Sequence, residues 1–322
     1  MPNIITHVLL ADEVLNRLNR DEFNRRKQLF EIGSNGPDFL FYSNETPYGF
    51  FKSDTMRKLG SEAHRHKIND FYKKALEIIQ NEKDETIKND MIVYVCGHLC
   101  HWALDSIAHP YIVYRSGDYQ NKTSAWNHHR MESVIDALML KIKRNETIKD
   151  YNVADIVDMS LEQARAIVRI YYPIGKDVFH VQARPHDYYQ SLKDWLFLHK
   201  VFYDAKGHKF NTLYSIEKLM HKDYMLSGYL IPNDAKDTYD TLNLMKKKWV
   251  HPCDDSTIHD ESFLELYDQA LVLAVKVIEI FLTCIKDKEN IHELMYILHD
   301  KNYNLGMDRS LPIKYFDVIY YR

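Results

Sequence analysis

Apolar residues recur at three- and four-residue intervals along most of this chain, and that period predicts a succession of amphipathic helices. The first is expected over 5–18, started by Thr6 as a cap, which puts His7 in its first turn. A breaker cluster, Gly33-Ser34-Asn35-Gly36-Pro37-Asp38, then leads into the aromatic run Phe39-Leu40-Phe41-Tyr42. From 54 to about 80 the pattern predicts one helix with His64, Ile68, Phe71, Ala75 and Ile78 inward and His66 on the solvent side. Further helices are expected over 85–108, 125–143, 153–170, 187–202, 234–248 and 260–284, with tyrosine-rich loops between the later ones. The terminal run 311–322 is apolar and aromatic, and should pack on the body as an extended segment.

Only ten Gly and nine Pro in 322 residues favour an α-rich fold over a sandwich or barrel. A chain this long can bury a large core, and 45% apolar with 27% charged residues argues against wholesale disorder. The net charge of −4 gives no electrostatic reason for tight binding to a long polyanion. The start, Met1-Pro2-Asn3-Ile4-Ile5-Thr6-His7, lacks a basic segment followed by an apolar export core, and the most apolar later stretch, 270–285, carries Lys276 and Glu279. These features predict a soluble, cytoplasmic protein. Four cysteines suggest no disulfide framework, and Cys96 and Cys100, four apart, read as small buried apolar residues.

The chemistry concentrates in Gly97-His98-Leu99-Cys100-His101-Trp102-Ala103-Leu104-Asp105-Ser106-Ile107-Ala108-His109-Pro110. On a helix His101 and Asp105 lie one turn apart on one face, so an imidazole and a carboxylate can reach a common ion. Pro110 is expected to end the helix and let His109 swing toward a second ion. The spacing recurs in the next amphipathic segment, where His128 and Glu132 share a face with Ile135, Met139 and Ile142, while His129 falls with Ser133 and Asp136. A lone buried histidine is usually just a hydrogen-bonded core residue. Two His/carboxylate pairs with a third histidine between them make sense mainly if cations compensate the clustered donors. His64 on the inward stripe and Asp38 after Pro37 are further candidate donors.

The ordered set His7, Asp38, His64, His101-x-x-x-Asp105, His109 and His128-x-x-x-Glu132 resembles the bacterial zinc-dependent phospholipase C family, whose superfamily includes the fungal single-strand-specific zinc nucleases. The likeness covers about residues 1–140, with a fainter one at Trp249-x-x-Pro252 and Ser262-Phe263. It implies an all-α fold, a compact multi-helix bundle around three clustered zinc ions. Carried over, one zinc would use Asp38, His64, His101 and the shared Asp105, and a second His109, His128 and Glu132. The third would use His7, Asp105 and the terminal amine and carbonyl, supplied by Pro2 once Met1 is removed. The layout to expect is a zinc-site core over 1–145 and a helical remainder over 146–322 packed on it as one continuous domain, with no β-sandwich membrane domain.

The resemblance further implies phosphodiester hydrolysis by a zinc-activated water, with Asp38 orienting or deprotonating it. A phospholipid or smaller phosphodiester is the expected substrate, with transient contact to a membrane surface. A nuclease on the same scaffold is the first alternative, disfavoured by the acidic balance and the lack of an obvious basic, aromatic groove. A noncatalytic zinc-stabilised or lipid-binding helical protein is the second, and an open, multinuclear ligand set argues against it.

Overall fold

The computed structural model describes residues 4–44, 53–233, 236–287, 290–309 and 311–320. In chain order the α-helices are α1 Ile4–Leu18, α2 Asp21–Asn24, α3 Lys27–Gly33, α4 Thr55–Arg65, α5 Ile68–Asn81, α6 Glu85–Ser116, α7 Lys122–Arg144, α8 Val153–Val157, α9 Leu161–Asp177, α10 Pro185–Phe202, α11 His208–Leu219, α12 Phe263–Lys286 and α13 Ile291–Leu298. Among the described residues the only sheet is an antiparallel hairpin, β1 Trp249–His251 with β2 Asp254–His259, so the fold is all-α as expected.

The long helix α6 is the axis. Asp84 caps its start, accepting from the backbone of Thr86 and Ile87, and at its end Gly117, at φ of 95°, turns the chain away after donating to the Val113 carbonyl. It packs along α12 and α3, with α1, α7 and α9 also against it, and buried apolar residues from Ile4 to Tyr303 join in one core. The α3–α6 crossing is close because glycines meet there: a Cβ on Gly33 would sit 2.3 Å from the Tyr94 carbonyl, and one on Gly97 2.2 Å from that of Phe30. This crossing brings the loop after α3 onto the middle of α6. Among the described residues α6 is also the one helix long and apolar enough to cross a membrane, but 89% of that stretch is buried in the fold. The apolar stretch 270–285 lies within α12, whose inward residues belong to the same core.

Several predicted boundaries move. The expected 54–80 helix breaks into α4 and α5 at Lys67, which takes φ of 60°. The stripe slips with it, so Ile79 is buried and Ile78 only partly. Pro110 does not end α6, which continues through it for another turn and a half, so His109 stays on the helix. The proline forfeits one hydrogen bond to Ser106, and dense burial on either side keeps the helix intact. The 153–170 helix divides into α8 and α9, the latter begun by a Ser160/Gln163 capping box. No helix forms over 236–248. Asp237 and Asp240 there accept backbone N–H groups four residues on, from Thr241 and Leu244, and lock turns instead. Ile142, expected inward on α7, is 48% exposed near the helix end. The segment 311–320 does run extended across the body, with Asp317 and Ile319 donating to the carbonyls of Tyr114 and Arg115.

Candidate metal centre

Five elements deliver the donors. His7 comes from the first turn of α1, Asp38 from the start of the short 3-10 turn Asp38–Tyr42, and His64 from the last turn of α4. His101, Asp105 and His109 descend α6 at four-residue steps, and His128 and Glu132 face them from α7. All eight are buried. They form three groups whose ligand atoms lie close enough to share an ion: His7, His101 and Asp105; Asp38, His64 and His101; and His109, His128 and Glu132. His101 joins the first two. Its Nε2 is 3.2 Å from Asp105 Oδ2 and 3.5 Å from Asp38 Oδ1, while Asp105 Oδ1 is 3.4 Å from His7 Nε2. In the third group His128 Nε2 lies 2.8 Å from Glu132 Oε1 and 3.1 Å from His109 Nε2.

The outward nitrogens fix what the inward ones can do. His64 Nδ1 donates to the Gly60 carbonyl at 2.7 Å, His101 Nδ1 to that of Ser34 at 3.2 Å and His109 Nδ1 to that of Asn304 at 2.7 Å. The Ser116 hydroxyl spends its proton on the Ile112 carbonyl, so it accepts from His128 Nδ1 at 3.0 Å. In each neutral ring Nε2 is therefore left as a lone pair, and it points at a carboxylate or at another such lone pair. Histidine–carbonyl pairs of this kind are how metal-ligating imidazoles are oriented. Among the described residues His101 Nε2, Asp105 Oδ1 and both ring nitrogens of His7 have no hydrogen-bond partner, although leaving a buried polar group unsatisfied costs about 1–3 kcal/mol. A cation at each group would satisfy them, so the residues fit zinc.

Electrostatics agree with a site built to stay unprotonated on its histidines. Burial holds His101 well below the usual imidazole value and pushes His128 down to about 3. For Asp105, burial alone would raise the pKa, but the His101 and His7 imidazoles outweigh it and hold the carboxyl below its ordinary range; His128 does the same for Glu132. Asp38 goes the other way, raised by burial that the neighbouring His64 imidazole only partly offsets.

Pro2, the terminal donor implied by the resemblance, lies outside the described residues. His66 is exposed, as its face on the helix predicted. His129 is half-buried, its ring stacked on Tyr229 at 4.3 Å, and its neighbours Ser133 and Asp136 are fully buried, so α7 is buried over a wider arc than one stripe. Cys96 and Cys100 are buried outside all three groups, and Trp102 is core, its indole N–H given to the Lys301 carbonyl.

Three parts of the centre escaped the sequence reading. Asp136 accepts the backbone N–H groups of Ile5 and Thr6, each at 2.9 Å, and so fixes the turn that carries His7. The carbonyls that orient the histidines are backbone groups, which no residue type announces. His98, inside the most conspicuous motif, holds Tyr72 and Tyr171 at 2.8 Å from its two nitrogens, behind the donor groups. Burial pushes the His98 pKa from 6.5 down to about 3. Unfolded His98 therefore binds a proton below about pH 6.5 that the folded form refuses, so this contribution to stability is complete above that pH and drains away as pH falls toward 3. Denaturant midpoints of the metal-free protein between pH 7 and 4 should fall with acid, and less steeply in His98→Gln. An unchanged slope in that variant would remove His98 from the account.

Fold and site together define a helical protein with a buried cluster of histidines and carboxylates, in three groups that could each hold a metal ion. The zinc-dependent phospholipase C family model matches residues 6–171, and the chain belongs to that family. No curated protein and no solved structure shows a significant match.

Proposed function

We propose that this protein hydrolyses a phosphodiester, in a phospholipid or a smaller molecule, at a centre of two or three zinc ions. The observation that carries this reading is the convergence of four imidazole Nε2 lone pairs on buried carboxylates, each ring held by its other nitrogen. Asp38, His64, His101 and Asp105 would hold one ion, His109, His128 and Glu132 a second, and His7 with Asp105 a third, the Pro2 amine and carbonyl completing it. Zinc bound there supplies Lewis-acid contacts to phosphate oxygens and a water that ionises near neutral pH. Asp38 takes the proton of the attacking water or orients it, since a carboxylate beside zinc stays ionised and acts as a local acceptor. The apolar shell around α6 keeps bulk water from the donors, which strengthens every charge interaction among them.

The test is a panel of phosphodiesters given to the zinc-loaded protein: short-chain phospholipids, bis(p-nitrophenyl) phosphate and a single-stranded oligonucleotide. Zinc-dependent cleavage of a phospholipid or the small diester is expected, lost in Asp38→Asn. Cleavage of the oligonucleotide alone would favour the nuclease reading. A protein holding two or more zinc ions that cleaves nothing would favour a noncatalytic role.

A further inference from the structure

The turn after α13 reaches back across the molecule and touches both ends of the donor array with consecutive residues. The Tyr303 N–H donates to the His64 carbonyl at 3.0 Å, and its buried ring lies against two imidazoles, with centroids 5.2 Å from His64 and 5.3 Å from His101. The next residue, Asn304, supplies the carbonyl that takes the His109 Nδ1 proton at 2.7 Å. The Tyr303 hydroxyl continues to that of Tyr72 at 3.2 Å, and so to His98.

This turn is closed on itself and pinned from two sides. Asn302 donates to the Met307 carbonyl from both its backbone and its side chain, at 2.8 and 2.6 Å, while its side-chain oxygen accepts from Leu305 at 2.7 Å. The Trp102 indole holds the Lys301 carbonyl at 2.9 Å, and His251 of the hairpin holds that of Leu305 at 2.8 Å. Gly306, at φ of 63°, fits against α6 so tightly that a Cβ would sit 2.0 Å from the Ser106 carbonyl. That carbonyl is the one whose helical partner would be the N–H of residue 110, and Pro110 has none. The proline therefore leaves an unclaimed carbonyl on α6 one turn before His109, and the glycine turn docks on it.

We infer that the 302–307 turn is a positioning clamp shared by the metal groups: Tyr303 fixes the His64 and His101 rings, and Asn304 fixes the tautomer and aim of His109. None of its residues belongs to the three donor groups, and all lie beyond the 6–171 stretch matched by the family. The inference rests on the zinc reading of the centre.

The test compares zinc affinity, by competition with a chromophoric chelator, and the visible spectrum of the cobalt-substituted protein. Gly306→Ala should weaken one ion, that at His109, and Tyr303→Ala the ion at His64 and His101, each by about 10–100-fold, the usual cost of losing an outer-shell partner. Tyr303→Phe keeps the ring and should retain the wild-type spectrum. Circular dichroism of the metal-free variants checks folding; if Gly306→Ala does not fold, Asn302→Ala opens the turn without the clash. A wild-type chain that takes up no zinc overturns this inference and the proposed function together. A wild type with two or more zinc ions, and folded variants of unchanged affinity and spectrum, overturns the clamp alone.

Discussion

Asp105→Asn is expected to release more zinc than Glu132→Gln and to lower phosphodiester hydrolysis by on the order of 10³-fold, the scale of losing a principal electrostatic contributor. The asymmetry comes from geometry. The two Asp105 oxygens face different imidazoles, His7 at 3.4 Å and His101 at 3.2 Å, so one carboxylate serves two donor groups, whereas Glu132 belongs to one. Asparagine keeps the shape but removes the charge. Zinc counted in the two folded variants decides the matter. Equal zinc content would argue against Asp105 as a bridge.

Chelation of the wild-type protein is expected to have the second largest effect. His109 and His128 bring their Nε2 atoms to 3.1 Å, and with both Nδ1 protons committed elsewhere these are two lone pairs face to face. Folding without metal compresses such acceptors together, so an ion bound between them would also act as a folding ligand. At a thousand times its Kd a single ion contributes about 4 kcal/mol, and two or three ions more. The unfolding midpoint should drop sharply in excess chelator and recover with zinc. A midpoint indifferent to both would mean that the convergent rings are satisfied in some other way.

The parts of the centre legible in the sequence were those that one helix brings together. His101, Asp105 and His109 share a face because of helical period, and so do His128 and Glu132, whatever the rest of the chain does. His64 was found by its stripe even though the helix breaks three residues later, because the break lies beyond it. Pro110 does not stop α6 because packing on either side overrides its local cost and the 302–307 turn fits against the vacated carbonyl, and neither is visible in the local sequence. Asp136, Ser34, Gly60 and Asn304 could not be found at all: each acts across a long sequence interval or through a backbone atom, and neither leaves a period. The same holds at 236–248, where aspartate side chains captured backbone donors that an apolar period had assigned to a helix.

The buried histidines and carboxylates either bind metal, as proposed, or form a hydrogen-bonded core. Elemental analysis of the protein after gentle purification, with zinc expressed per chain, separates the two most directly. At least two equivalents are expected, retained through gel filtration and restored after chelation; fewer than one equivalent, with no uptake when zinc is added, would make the cluster a hydrogen-bonded core.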